Sequence, residues 1–186
     1  DKLQRNFLVT EPRLALSDTL VIDPLEGFSR DQFALCESDD PQEFWQVYDR
    51  TTGEPHACWR AENGVAVVER AIPCHLYTLS FLALRQWEEI SMYNHLTNHW
   101  GDRERLMAVE PRYPEAQKAL LAFLDKWCED HPRTTVVRFT SLFYNFAWFW
   151  GSDPRRRDVF SDWGSYDFTV NPLSLRAFER EYGYRL

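Results

Sequence analysis

The dipeptide Asn63–Gly64 lies between two runs carrying apolar residues, in ACWRAENGVAVVER, and it constrains the fold more tightly than any other local feature. A two-residue loop of this kind needs positive φ at both central positions, which asparagine and glycine tolerate, and its twist suits two antiparallel strands. The flanking sequence agrees with a β-rich first half. Phe7–Thr10 and Leu14–Asp23 contain β-prone runs broken by Pro12 and closed by Pro24, and Tyr77–Leu84 reads as a further strand. Between them, Asp40 as N-cap and Pro41 at the first helical position predict a helix with Phe44, Trp45 and Val47 packing behind it. The turn-like TTGEP that ends at Pro55 keeps that helix short.

The period changes after Trp87. Ile90, Tyr93, Leu96 and Thr97 recur at roughly helical spacing, with Asn94 on an adjacent face. Tyr113–Asp130 is predicted to be a helix: Pro114 suits the first turn, Glu115 favours the positive helix end, and Leu120, Phe123, Leu124 and Trp127 make an apolar stripe. His131 and Pro132 stop it. A strand TVVRFT, an irregular aromatic segment and a closing helix Pro172–Tyr182 complete an α/β alternation. Two or three such units cannot close a (β/α) barrel, which takes about 250 residues, so 186 residues hold at most part of one. A small self-contained α+β domain accounts for the same pattern, and both architectures stand at this point.

Charge narrows the partners. The 29 acidic and 21 basic side chains leave a net charge of −8, which works against general binding to nucleic acid or to an anionic membrane. With 44% hydrophobic and 16% aromatic residues the chain is no disordered tail. No apolar run approaches the roughly 18 residues of a membrane span, and no signal-peptide pattern opens the chain, so a cytoplasmic location is expected. Cys36, Cys58, Cys74 and Cys128 are dispersed without a CxxC pair, which points to free thiols and not to a zinc module or a disulfide scaffold.

Chemistry concentrates in residues 134–170, TTVVRFTSLFYNFAWFWGSDPRRRDVFSDWGSYDFTV. Val136 and Val137 predict a buried strand that delivers Arg138 near its carboxyl end, where α/β enzymes place ligand-contacting side chains. Tyr144, Trp148, Trp150, Trp163 and Tyr166 offer flat faces of the kind that stack on sugars, and Asp153, Asp158, Asp162 and Asp167 offer acceptors for hydroxyls. A thick aromatic core under a polar surface accounts for the same residues equally well. Arg138 needs an anionic or hydroxyl-rich partner, either a ligand or a structural salt bridge to Asp162 or Asp167. Arg155, Arg156 and Arg157 fit a phosphate clamp less well than a solvated turn. His95 and His99 stand four apart, a spacing that can place two imidazoles on one helical face for a metal. No third ligand or HExxH glutamate accompanies them, which favours hydrogen-bonded or solvent-facing rings. GxGxxG, GxxxxGK[ST] and GxSxG are all absent from the sequence. No spacing among the aspartates assigns a general acid or base; a phosphorolytic enzyme would need only one carboxylic acid, because phosphate itself attacks the sugar carbon.

Five strings, EFWQVYDRTTGE, MYNHLTNHWGD, VVRFTSLFYNF, SDWGSYDFTVNP and FEREYGYRL, in this order, closely resemble the lacto-N-biose/galacto-N-biose phosphorylase family, which includes galactosyl-rhamnose phosphorylases. The resemblance implies an α/β chain that is part of a TIM-like (β/α) barrel, with residues 1–186 as the N-terminal portion of a catalytic domain truncated at both ends. It implies inverting phosphorolysis of a β-galactosyl disaccharide to α-galactose 1-phosphate and the free sugar. Inorganic phosphate is the expected cosubstrate, with no metal or organic cofactor, and the longer parent is expected to form a homodimer. Asn94 and Arg138 match substrate-binding positions of that family. Ile90 and Tyr166 match pocket-lining positions, and they replace the valine and cysteine of typical lacto-N-biose enzymes, so the acceptor is either an N-acetylhexosamine or rhamnose. The general-acid aspartate is expected beyond Leu186 and an active-site arginine before Asp1, which leaves no catalytic residue in this stretch and predicts that it is inactive alone. A noncatalytic carbohydrate-binding domain is the alternative.

Overall fold

The structure, a computed structural model, describes residues 2–88, 91, 94–95, 98–137, 148–149, 159–160 and 170–185. Its largest organised part is a pair of antiparallel sheets built from residues 5–85. The hub of the larger sheet is a ten-residue strand, which in chain order is β9 (Leu76–Arg85). Its sequence LYTLSFLALR is apolar with little alternation, as suits a strand covered on both faces. β1 (Arg5–Val9) runs along one side, with Arg5 opposite Leu84 and Val9 opposite Ser80. β5 (Trp45–Asp49) runs along the other, with Trp45 opposite Phe81 and Asp49 opposite Tyr77. Short pairings of β2 (Arg13–Leu14) and β4 (Phe33–Ala34) extend β9 at its ends. β6 (Glu54–Pro55) closes the β5 side with a proline on the edge, where no ladder donor is required.

The second sheet has the order β3 (Thr19–Ile22), β8 (Val65–Glu69), β7 (Trp59–Glu62). β7 and β8 are the expected hairpin: Asn63 has φ 50° and Gly64 has φ 79°, and Glu62 pairs with Val65 across them. Leu8, Ile22, Phe33, Val47, Val68, Tyr77, Leu79 and Phe81 form a common core. Trp45 of the larger sheet stacks on Trp59 of the smaller one at 6.4 Å, joining them through two aromatic faces.

The helix predicted after Asp40 exists but is a single turn, α1 (Pro41–Phe44), with the Asp40 side chain accepting from the Gln42 N–H at 2.9 Å. Trp45 and Val47 do not pack behind it as helical residues. They belong to β5, where Trp45, Val47 and Asp49 are buried at period two, and pairing with β9 overrides continuation of the helix. The helix α2 (Pro114–Asp130) forms as expected, yet its apolar stripe is not buried: Phe123 is 66% exposed, Leu120 is exposed, Leu124 and Trp127 are half-buried, and Ala116 is its buried residue. The strand expected at TVVRFT is absent over Thr134–Val137, where Val136 is 79% exposed; the remainder of that run lies outside the described residues. A strand needs a neighbour for its N–H and C=O groups, and no described strand runs beside this one. β10 (Trp148–Phe149) pairs antiparallel with β11 (Val159–Phe160). The closing helix α3 (Pro172–Tyr182) opens on a reciprocal capping box between Asn171 and Ser174 and ends at Gly183 with φ 78°.

Two buried carboxylates fasten these parts. Asp39 grips Arg5 through Nε at 2.6 Å and Nη2 at 3.3 Å; the same guanidinium donates to Leu3 O at 2.7 Å and to Cys36 Sγ at 3.1 Å. Both partners are almost fully covered, at 1% and 9% side-chain exposure. Burial alone would lower the Arg5 pKa, but the hydrogen bond and charge of Asp39 outweigh it and raise it above the ordinary arginine value. The Arg5 carbonyl accepts from Val170 N–H at 3.0 Å, so β1, the loop before α1 and the entry to α3 meet at one residue. Asp49 accepts from His75 Nδ1 at 2.7 Å and from the N–H groups of Thr51 and Thr52. Burial alone would raise its pKa, but these bonds prevail and hold it below the usual aspartate value.

Removing one member of the Arg5 pair strands the other in the interior. Asp39→Ala is therefore expected to cost about 3–5 kcal/mol in urea unfolding, and Arg5→Met with Asp39→Leu to recover most of that loss. A double variant no more stable than Asp39→Ala would show that the charge pair is not what the fold needs. For Asp49 the native pKa lies below the unfolded one, so its contribution is complete above the unfolded value of about 3.9 and fades as pH falls through the native value. Asp49→Asn is expected to be about 1–3 kcal/mol less stable than the native chain at pH 7. That gap is expected to shrink below about pH 4; a constant gap between pH 7 and pH 3 would contradict the assignment.

Candidate functional site

Asn94 is the member of the predicted site that the described structure contains. Ser91, Asn94 and His95 are helical and come a few residues after the end of β9 at Arg85. Asn94 is half-buried; its Oδ1 accepts from Asn98 Nδ2 at 2.7 Å, and its carbonyl accepts from Asn98 N–H at 3.0 Å and Trp100 N–H at 3.4 Å. The chain then reverses through His99 and Gly101, both at positive φ, 53° and 59°. Glycine suits that second position because it carries no Cβ to clash in the left-handed region.

The returning loop is stitched to the Asn94 segment at three further points. Glu88 N–H donates to Leu106 O at 2.9 Å, and Leu106 N–H donates to Ser91 Oγ at 3.1 Å. His95 closes the third: Nδ1 lies 2.7 Å from Ser91 O and Nε2 2.8 Å from Arg103 O. Both ring nitrogens therefore face backbone carbonyls, and neither is turned toward a metal. Among the described residues no group of three His, Cys, Asp or Glu side chains is placed to hold an ion.

His95 is also the middle of an aromatic ladder. Trp87 meets it edge-on at 5.5 Å and Trp100 at 5.7 Å; Arg105 lies over the Trp87 ring at 4.2 Å and Arg103 over the Trp100 ring at 5.1 Å. Stacked and edge-on contacts of this kind fix ring planes as well as burying them. Sequence reasoning singled out Asn94 and weighed His95, but it missed Trp87, Trp100, Arg103 and Arg105. Their signal was weak, a pair of tryptophans thirteen positions apart around a helical segment, and nothing in periodicity reveals that the chain doubles back between them.

Arg138, Ile90 and Tyr166 lie outside the described residues, as do Tyr144, Trp150, Trp163, the four aspartates Asp153, Asp158, Asp162 and Asp167, and the triplet Arg155–Arg157. Trp148 lies in β10. The described geometry thus offers a half-buried amide on a helical turn, backed by a pinned imidazole and flanked by two arginines on tryptophan rings.

The family model described as the lacto-N-biose phosphorylase N-terminal TIM barrel domain matches residues 1–186. A D-galactosyl-β1→4-L-rhamnose phosphorylase of Lachnoclostridium phytofermentans is 53% identical over 190 residues, covering 100% of this chain and 26% of the relative. A 1,3-β-galactosyl-N-acetylhexosamine phosphorylase of Bifidobacterium longum subsp. longum is 40% identical over 190 residues, with 100% and 25% covered. A second 1,3-β-galactosyl-N-acetylhexosamine phosphorylase, from Lachnoclostridium phytofermentans, is 34% identical over the same length, with 100% and 26% covered. The chain spans about a quarter of the length of these relatives. A TIM barrel is built from parallel strands, whereas every described strand pairing here is antiparallel. The described sheets are thus mixed with helices in an α/β chain, as in part of that domain, and their described pairings are antiparallel. This chain belongs to the lacto-N-biose phosphorylase family of galactoside phosphorylases, and the family's N-terminal TIM barrel domain is the part it matches.

Proposed function

We propose that these residues form the sugar-binding portion of an inverting phosphorylase that converts galactosyl-β1,4-L-rhamnose and inorganic phosphate to α-galactose 1-phosphate and L-rhamnose. The observation that carries the acceptor is the 53% identity to the galactosyl-rhamnose relative, against 40% and 34% to two relatives that act on galactosyl-N-acetylhexosamines. Ile90 and Tyr166 support it, because larger side chains than valine and cysteine reduce the room for an N-acetyl group.

In this reading a phosphate oxygen attacks the anomeric carbon from the face opposite the leaving rhamnose. The C1–O bond breaks, its electron pair stays on the rhamnose oxygen, and a carboxylic acid supplies the proton, so β becomes α in one displacement. Asn94 holds a galactose hydroxyl with its side-chain amide, using the group that Asn98 now orients. Arg138 binds the phosphate or the galactose, and Ile90 and Tyr166 shape the acceptor side. No metal or organic cofactor takes part. A cytoplasmic location and a homodimer of longer chains complete the proposal; no described helix is long and apolar enough to cross a membrane.

The test has two arms. The 186-residue chain is titrated with galactosyl-β1,4-L-rhamnose and with galactosyl-β1,3-N-acetylglucosamine in the presence of phosphate, and it is also grafted into the Lachnoclostridium phytofermentans relative in place of the matching quarter. The graft is expected to release galactose 1-phosphate from the rhamnoside in preference to the N-acetylhexosaminide. Asn94→Ala in the graft is expected to lower kcat/KM about 10- to 100-fold, as loss of one or two substrate hydrogen bonds would. A folded graft that prefers the N-acetylhexosaminide refutes the acceptor. One that turns over neither, while the chain alone still binds galactosides, moves the reading to a noncatalytic carbohydrate-binding role.

A further inference from the structure

Several exposed basic side chains of this acidic protein are paired with carboxylates. Arg13 lies against Glu26, Arg30 against Asp23, Arg60 against Glu62 and Glu69, and Lys126 against Asp130. Arg103 and Arg105 are exposed and, like Arg50 and Arg133, meet no carboxylate or other hydrogen-bond acceptor among the described residues; what sets them apart is the tryptophan ring beneath each. Asp102 and Glu104 sit in the same loop and bond to neither of them.

Each of these arginines is nevertheless held. Arg105 lies 4.2 Å from the ring centre of the buried Trp87, and Arg103 5.1 Å from that of Trp100. A guanidinium over a ring uses its flat face and keeps its in-plane N–H donors available. The ring also removes rotamer freedom before any ligand arrives, so less entropy is lost on binding than for an arginine waving in water. The backbone beneath is fixed too, since Arg103 O is bonded to His95 and Leu106 to Glu88 and Ser91. Two preorganised, uncountered forks thus stand two residues apart beside the Asn94 turn, in a chain of net charge −8.

We propose that Arg103 and Arg105 form a docking site for one small phosphate-bearing anion at the rim of the Asn94 segment. Forked N–H pairs match the oxygens of a phosphate, and the adjacent Asp102 and Glu104 carboxylates disfavour an extended polyanion. Inorganic phosphate and the phosphate of a sugar phosphate share this chemistry. The identification of that anion with the cosubstrate or product of phosphorolysis rests on the function proposed above; the site itself does not.

The experiment follows arginine Nε–H and tryptophan indole signals of the 186-residue chain by NMR during titration with inorganic phosphate, α-galactose 1-phosphate and sulfate, with ionic strength held constant by chloride. Saturable shifts are expected for Arg103, Arg105, Trp87 and Trp100. Arg103→Ala with Arg105→Ala is expected to weaken phosphate at least fivefold, while Arg50→Ala with Arg133→Ala, at two other exposed arginines, changes it less than twofold. Arg103→Lys with Arg105→Lys, which keeps the charge and removes the forks, is expected to fall between native and the alanine pair. Trp100→Leu is expected to weaken binding although it removes no charge. Tighter α-galactose 1-phosphate than inorganic phosphate assigns the site to the product, and the reverse order to the cosubstrate.

Equal weakening by both alanine pairs overturns the site as mere ionic atmosphere, and full retention in the lysine pair overturns forked recognition. If phosphate binds but is indifferent to Arg103 and Arg105, the docking site is wrong and the phosphorylase reading stands with phosphate held elsewhere. If the folded chain binds no phosphate, the docking site falls alone, because the galactoside titration judges the phosphorylase reading separately.

Discussion

The bidentate pairing of Arg5 with Asp39 is the contact on which the arrangement of the chain depends. Two charges removed from water cost several kcal/mol each unless every donor and oxygen finds a partner, and here the guanidinium meets a carboxylate, a carbonyl and a sulfur at once. That need for complete satisfaction leaves little freedom: the loop from Cys36 to Asp39 has to come back over β1, which brings Asp40 to the start of α1 and β5 to the side of β9. The same residue's carbonyl receives Val170, so the last helix is placed by the backbone of a residue whose side chain organises the first sheet.

Much of this was legible in the sequence, for identifiable reasons. The Asn63–Gly64 hairpin, the Asp40 cap and the helices beginning at Pro114 and Pro172 all rest on backbone preferences of a few residues, which act locally and survive any tertiary context. What failed were inferences that required a partner. Trp45 and Val47 read as helical neighbours of Phe44, but β9 supplies a ladder and wins. Val136 and Val137 read as a buried strand, but both are exposed and neither pairs with a described strand, and β-branched residues make a strand only with a neighbour to pack on.

The candidate site was legible only in part. Asn94 came from resemblance and not from its chemistry, since one asparagine on a helical turn carries no signal of its own. The ladder of Trp87, His95 and Trp100 was illegible because it is made by a reversal at His99–Gly101, and contacts across a reversal follow no period. His95 is instructive here. Its spacing from His99 is compatible with a metal pair but favoured a hydrogen-bonded ring, and the imidazole lies between the carbonyls of Ser91 and Arg103 on two stretches of backbone.

The pairing of β1 with β9 also bears on how such a chain emerges from a ribosome. Val9 lies opposite Ser80 and Arg5 opposite Leu84, so β1 has no β9 edge to join until Ser80 is out of the exit tunnel and no complete ladder until Leu84 is. The β7–β8 hairpin, closed by two residues, can form long before that. Synthesis therefore passes through an interval in which Phe7, Leu8 and Val9 are solvent-facing strand with unpaired amides, the condition under which a nascent segment is most exposed to chaperones or to a neighbouring chain.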